Sequence, residues 1–179
     1  VGHKRHGKGE VAKRLVQTQR YTNVKFADAL KDMLRALLRS AGYFDDVIER
    51  MIEGDLKEVP VAALGDQSPR HAMITLGTDW GRQMMHPHLW IRIAQERIRK
   101  YLSCDMPVVV DDVRFLNEAD AIRRMGGTLI RVVRNDEVPD LSHPSEAEVP
   151  FIHCAALLVN DGAIEDLYLK VDDLYDWEP

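Results

Sequence analysis

Met106-Pro107-Val108-Val109-Val110-Asp111-Asp112 is a short β-branched run that ends in two carboxylates. A run this short and this apolar reads as a parallel strand buried on both faces. Downstream, residues 117–125 return to helical spacing and Gly126-Gly127 closes the turn. Residues 128–133 form a second apolar run, and residues 155–159 a third, ending at Asn160-Asp161-Gly162. A final amphipathic helix is expected from Ala163 to about Leu174. Upstream the pattern is helical, with apolar positions at 11, 12, 15 and 16. It continues at 26, 27, 30, 33, 34, 37 and 38, where Gly42 is the expected stop. A short helix over 44–53, a loop over 65–69, and helices over 68–76 and 87–102 complete this half. Strands alternating with helices imply an α/β fold around a mostly parallel sheet. Residues 135–150 are polar, contain three prolines and lack periodicity, so a mobile lid or flap is expected there.

The 179 residues fit one domain, and 45% hydrophobic with 30% charged residues describes a globular chain rather than a disordered one. A net charge of −5 argues against a nucleic-acid polymer as partner, while leaving room for a local basic cleft that holds small phosphates. No apolar run approaches the roughly 18 residues of a membrane span. Cys104 and Cys154 match no zinc or redox spacing, which suits buried thiols in a reducing cytoplasm.

Four stretches carry chemistry. Gly2-x-x-x-x-Gly7-Lys8 has the spacing of a phosphate-binding loop. Glycines let backbone N–H groups turn toward anionic oxygens, the following helix points its positive end at them, and Lys8 reaches the β- and γ-phosphates. The hydroxyl residue that normally follows the lysine and ligates Mg²⁺ is Gly9, and Glu10 next to it cannot substitute without reorienting. Such a loop hangs from the end of a buried strand, yet Val1 alone stands before Gly2; the downstream pattern favours a missing first strand over a different kind of loop. Asp111 and Asp112 sit at the carboxyl end of a strand, where open α/β sheets bind ligands, and Arg114 follows toward the same crevice. Leu76-Gly77-Thr78-Asp79-Trp80-Gly81-Arg82 offers an arginine fork for phosphate and an indole for stacking, or else a helix end with a buried tryptophan. Arg131 and Arg134 flank the end of the second strand; Arg134 is placed to meet a γ-phosphate if the flap closes, and a solvated charge pair is the plain alternative. His86 and His88 lack further metal ligands, and Ser145 near His143 does not make a hydrolytic triad.

Taken in order, the stretches 2–8, 26–31, 76–82, 112–118, 126–132, 143–146 and 160–162 resemble the bacteriophage-type deoxynucleoside monophosphate kinases. The resemblance implies a P-loop kinase three-layer fold, with a central sheet flanked by helices and a mobile lid. It implies ATP and Mg²⁺ as cofactors, a deoxynucleoside monophosphate as acceptor, and work in the host cytoplasm. By position, Gly2, Lys4, Arg5, Gly7 and Lys8, with Gly9 and Glu10 beside them, would hold the ATP phosphates. Phe26, Lys31, Trp80 and Arg82 would line the acceptor side, Asp112 and Arg114 the reacting centre with Asp112 on the metal, and Arg134 the lid. Asn160 and Gly162 would lie near the adenine. The departure at Gly9-Glu10 bears on metal ligation.

The expected reaction is a direct in-line transfer with no covalent enzyme intermediate. Two rivals remain at this level: a P-loop kinase with another acceptor, of dephospho-coenzyme A or phosphomevalonate type, and a nucleotide-binding module without catalysis. A homodimer is compatible with everything above.

Overall fold

The computed structural model describes residues 1–134 and 147–175. The chain divides into two compact units, residues 1–25 with 95–179, and residues 26–94.

The first unit opens with a loop that runs into helix α1, Lys8–Gln19, followed by strand β1, Thr22–Asn23. After the second unit come β2, Val108–Val109, helix α6, Leu116–Arg124, strand β3, Ile130–Val133, strand β4, Ala156–Val159, and helix α7, Ile164–Tyr175. β1 pairs in parallel with β2, Thr22 opposite Val108 and Asn23 opposite Val109. β3 pairs in parallel with β4, from Ile130 opposite Ala156 to Val133 opposite Val159. Parallel pairing requires a crossover connection, and the segment between β1 and β2 and that between β3 and β4 each supply one. Val132, Leu158, Leu167 and Val171 form one core cluster of this unit, with Val11 and Leu15 of α1 packed against it. α1 and α7 are also clasped by charge. Arg14 grips Asp172 through both carboxylate oxygens, at 3.0 and 2.5 Å, and lies over the Tyr168 ring, whose hydroxyl donates to Glu10.

In the second unit, helix α2 spans Asp28–Ser40 and buries Leu30, Leu34 and Leu38, a strict four-residue step down one face. Helix α3, Asp45–Ile52, answers with Ile48, Met51 and Ile52. Helix α4, Pro69–Ile74, starts on Ser68, whose hydroxyl accepts from His71 N–H at 3.2 Å, with Pro69 in the first turn. The chain then widens into an eleven-residue π-helix, Thr75–Met85, before α5, Leu89–Leu102.

Most expected elements appear within two residues of their expected limits, with four corrections. The run 106–112 contributes only two paired residues, and Val108 to Val110 are half-buried rather than fully covered. They border a cavity of about 450 Å³ inside the first unit. β1 was not anticipated, because two residues are too short for any period to register. Residues 76–82 are wound helix, not a helix end. The expected loop at 65–69 is present, closed by an antiparallel bridge between Val61 and Gln67. Of the expected flap at 135–150, residues 135–146 lie outside the described residues, whereas Val149 is fully buried in a short 3-10 turn.

Candidate functional site

The loop before α1 is shaped by left-handed backbone. Gly2 has φ +147°, Arg5 +66° and Gly7 +99°. A Cβ on Gly2 would sit 2.3 Å from the Val132 carbonyl oxygen, and one on Gly7 would sit 2.6 Å from Asn160 Nδ2. Both glycines are therefore required by close backbone approach as well as by φ. Two long-range bonds hold the loop down. Asn160, buried at the end of β4, donates from Nδ2 to the His6 carbonyl at 3.1 Å. The buried His6 ring places Nδ1 3.3 Å from the Val132 carbonyl. Lys8 folds back on the same loop and donates to the His3 carbonyl at 2.5 Å. Lys4 and Arg5 are exposed on its outer side.

The loop therefore leads into the N-terminal end of a twelve-residue helix, where free N–H groups and the helix dipole favour an anion. Glu10 stands in the first turn and is engaged by Tyr168 OH at 2.9 Å and Lys13 at 3.7 Å.

Facing the start of α1 is Asp111, just past β2. A Cβ on Gly9 would lie 3.9 Å from Asp111 Oδ2, an ordinary contact with room to spare. The Asp111 side chain is only 8% exposed and pairs with Lys25 at 3.3 Å, while its Oδ1 is buried with no hydrogen-bond partner. A buried carboxylate oxygen left open is a costly feature unless a donor or cation completes it. That oxygen, beside the loop that leads into α1, fits one ligand of a Mg²⁺ ion, which binds through one or two carboxylates plus substrate phosphates rather than in an all-protein cage. No cluster of three or more metal-ligating side chains occurs among the described residues.

The loop after Asp111 is set by another carboxylate. Glu118, 2% exposed, accepts from the N–H groups of Arg114 at 2.9 Å and Phe115 at 3.1 Å, capping α6 and fixing the backbone that carries Asp112 and Arg114. Asp112 and Arg114 are both half-buried on this segment, and Arg134 is half-buried one residue past β3.

Several residues sit where their side chains serve the framework. The Arg131 guanidinium donates to the carbonyls of Val149, at 3.1 Å, and Ile152, so it braces the turn before β4 instead of standing as a solvated charge. Asn160 buckles the phosphate loop. Gly162 packs against Asp166, whose Oδ2 accepts from Ala163 N–H at 3.0 Å at the start of α7; a Cβ there would meet that oxygen at 2.4 Å.

The second unit carries Phe26, Lys31, Trp80 and Arg82. Phe26 is buried, and Lys31 is held by Glu53 at 2.5 Å. The π-helix is organised by Trp90, which donates from Nε1 to the Gly77 carbonyl at 2.8 Å and fills the space beside Gly81, where a Cβ would come within 2.5 Å of its ring. Trp80 lies 6.1 Å from Trp90 at a 47° tilt, and Arg82 is half-buried two residues further on. Widened helical turns of this kind recur at functional sites because they re-aim side chains that a regular helix would place elsewhere. His86 Nδ1 accepts the N–H of His88 at 3.0 Å, a local turn contact.

Sequence reasoning singled out both strand-end carboxylates but assigned the metal to Asp112 rather than Asp111, and it passed over Lys25 and Glu118. A two-residue period puts Asp111 and Asp112 on opposite faces of the strand, and the sequence does not say which face meets the loop. Glu118 had a signal: an acid in the first turn of an expected helix.

The model of the deoxynucleotide monophosphate kinase family matches residues 42–171. A putative deoxynucleotide monophosphate kinase of Acanthamoeba polyphaga mimivirus is 30% identical over 188 aligned positions, covering 96% of this chain and 91% of that protein. The deoxynucleoside-5'-monophosphate kinase of Escherichia phage T5 is 35% identical over 62% of this chain, and the deoxynucleotide monophosphate kinase of Escherichia phage RB69 is 32% identical over 60%. The matched region spans less than half of each phage protein, 47% and 44% respectively. With a family match over most of its length and a viral relative aligned nearly end to end, the chain belongs to the deoxynucleotide monophosphate kinase family.

Proposed function

We propose that this protein transfers the γ-phosphoryl group of ATP to a deoxynucleoside monophosphate, yielding the diphosphate. The observation that carries the reading is the loop of residues 2–8, held by Asn160 and His6 against β3 and β4, with Lys8 and the open Asp111 carboxylate bordering one cavity of the same unit. That is a phosphate cradle with a cation-seeking oxygen beside it. Family membership supplies the acceptor class.

In this reading the backbone of residues 2–8 and the α1 N-terminus hold the triphosphate, and Lys8 exchanges its bond to the His3 carbonyl for phosphate oxygens. Asp111, with Asp112 next to it, would hold Mg²⁺, which neutralises the phosphate oxygens when bound. Arg114 and Arg134 add positive charge where it develops during in-line transfer, a reaction that depends on positioning and electrostatics more than on covalent chemistry. Phe26, Lys31, Trp80 and Arg82 are assigned to the acceptor, the arginine on its phosphate and the indole on its base. Asn160 and Gly162 border the same loop and are assigned to the nucleotide end. A homodimer, a host-cytoplasmic setting and the lack of a nucleic-acid partner belong to the proposal as well; no helix among the described residues is long and apolar enough to cross a membrane.

The test is a coupled assay offering ATP with each common deoxynucleoside monophosphate, with dephospho-coenzyme A and phosphomevalonate as rival acceptors. Turnover on at least one deoxynucleotide and on neither rival is expected. Lys8→Ala should lower that turnover by roughly 10²–10⁴, the usual effect of removing one electrostatic donor. Binding of ATP with no transfer to any acceptor would leave a nucleotide-binding module and refute catalysis.

A further inference from the structure

A glutamate three residues after a helix cap has a preferred partner. Its side chain tilts toward the helix N-terminus and reaches back to the backbone N–H of the capping residue. Helix α6 shows this arrangement: Glu118 stands third after Phe115 and accepts its N–H at 3.1 Å. Helix α1 has the same spacing, with Gly7 at the cap and Glu10 third after it. There the carboxylate takes another direction. Tyr168 OH of α7 donates to Glu10 Oε2 at 2.9 Å, and Lys13, one turn further along α1, pairs with the same oxygen at 3.7 Å. The hydroxyl is itself held in place. Arg14 and Asp172 stand four residues after Glu10 and Tyr168, so α1 and α7 meet in two successive rungs. Arg14 binds both Asp172 oxygens, at 3.0 and 2.5 Å, and its guanidinium lies 5.2 Å from the centre of the Tyr168 ring. The bond to Glu10 raises the Tyr168 pKa, so the phenol keeps the proton it donates.

We infer that Tyr168 is a positioning residue for the phosphate loop: its hydroxyl draws the Glu10 carboxylate off the N-terminal end of α1, so that a nucleotide's phosphates meet the loop and Lys8 without a competing anion of this chain. The inference rests on the reading of residues 2–8 as the triphosphate cradle. On α1 the reach-back position is that cradle, since Gly7 belongs to it. A carboxylate there would occupy N–H groups that a phosphate uses, neutralise Lys8 and repel the incoming charge. The helix dipole and the tilt of the side chain both favour that wrong position. A partner on a neighbouring helix is therefore needed to hold Glu10 aside, and Tyr168 is that partner. Its contacts are partly exposed, with Glu10 42% and Lys13 56% open, so they contribute little to stability. Their effect falls on what binds at the helix end.

The test titrates ATP and, separately, inorganic tripolyphosphate by calorimetry into the parent protein and its Tyr168→Phe, Glu10→Gln and doubly substituted forms. At about 0.05 M salt Tyr168→Phe should weaken both ligands about five- to tenfold, and at about 0.5 M salt by less than about twofold, because the released carboxylate acts through charge. Glu10→Gln should recover that loss in the Tyr168→Phe background and gain less in the parent. In turnover the effect of Tyr168→Phe should fall on KM for ATP rather than on kcat. Glu10→Asp, one methylene shorter, keeps the charge but loses reach to the hydroxyl. The same weakening is expected of it, and it decides the matter if Tyr168→Phe does not fold. A doubly substituted protein as weak as Tyr168→Phe overturns the inference, since Tyr168 would then act through packing. Unchanged ATP affinity in Tyr168→Phe or in Glu10→Asp overturns it as well. So does a Glu10→Gln protein that loses ATP or needs more Mg²⁺, which would put Glu10 on the ligand itself. A parent that binds neither ATP nor tripolyphosphate instead refutes the phosphate-loop reading, and the inference with it.

Discussion

Gly7 and Gly9 lie two residues apart, yet a methyl group should act on them in opposite directions. Gly7→Ala forces an L residue to φ +99°, which costs about 1–2 kcal/mol. The new Cβ would also lie 2.6 Å from Asn160 Nδ2, so Asn160 must move away from its buried 3.1 Å bond to the His6 carbonyl, at about 1–3 kcal/mol. Together these predict a loss of about 2–5 kcal/mol, borne by the loop and the first unit. At Gly9 the backbone is helical and the nearest atom is Asp111 Oδ2, 3.9 Å from the Cβ. Gly9→Ala should therefore be neutral or stabilising by about 0.5 kcal/mol, the ordinary helix preference for alanine. Urea unfolding followed by far-ultraviolet circular dichroism reads the stability, and titration calorimetry with ATP reads the loop. Gly7→Ala should weaken ATP binding by at least tenfold, and Gly9→Ala by less than threefold. A Gly7→Ala protein with the parent's urea midpoint and ATP affinity would refute the role given to Asn160 and to the left-handed turn.

Other outcomes follow from the same geometry. Asp111→Asn should raise the Mg²⁺ concentration needed for half-maximal rate by tenfold or more; an unchanged Mg²⁺ titration would remove Asp111 from the metal and leave Asp112. Glu118→Ala orphans two backbone N–H groups that a buried carboxylate satisfies, and should cost about 3 kcal/mol in denaturant unfolding; a change below 1 kcal/mol would contradict the cap. In the 179-residue chain prepared by itself, stability should also depend on pH through the Val1 amino group, whose pKa is about 6 when folded against an ordinary value of 8.0. The unfolded chain binds more protons between those values, so stability rises as pH rises from 6 to 8, by about 3 kcal/mol at most, and is flat in this respect above 8. Acetylating Val1 should abolish that rise; a slope that persists would assign it to another group.

How much was legible beforehand depends on the range of the interaction. The four-residue step of Leu30, Leu34 and Leu38, the apolar runs at 128–133 and 155–159, and the Gly2–Gly7–Lys8 spacing are local signals, since period and turn chemistry act over a few residues. They were enough to read α/β alternation, the loop and a kinase resemblance from the sequence alone. Tertiary structure decided the rest. It made Asn160, 154 residues away, the buckle on His6, turned Arg131 inward to brace Val149 and Ile152, and set Asp111 opposite Gly9. It also wound 75–85 into a π-helix around Trp90. Each of these depends on which backbone edge or ring packs nearby after collapse, and no spacing along the chain encodes that.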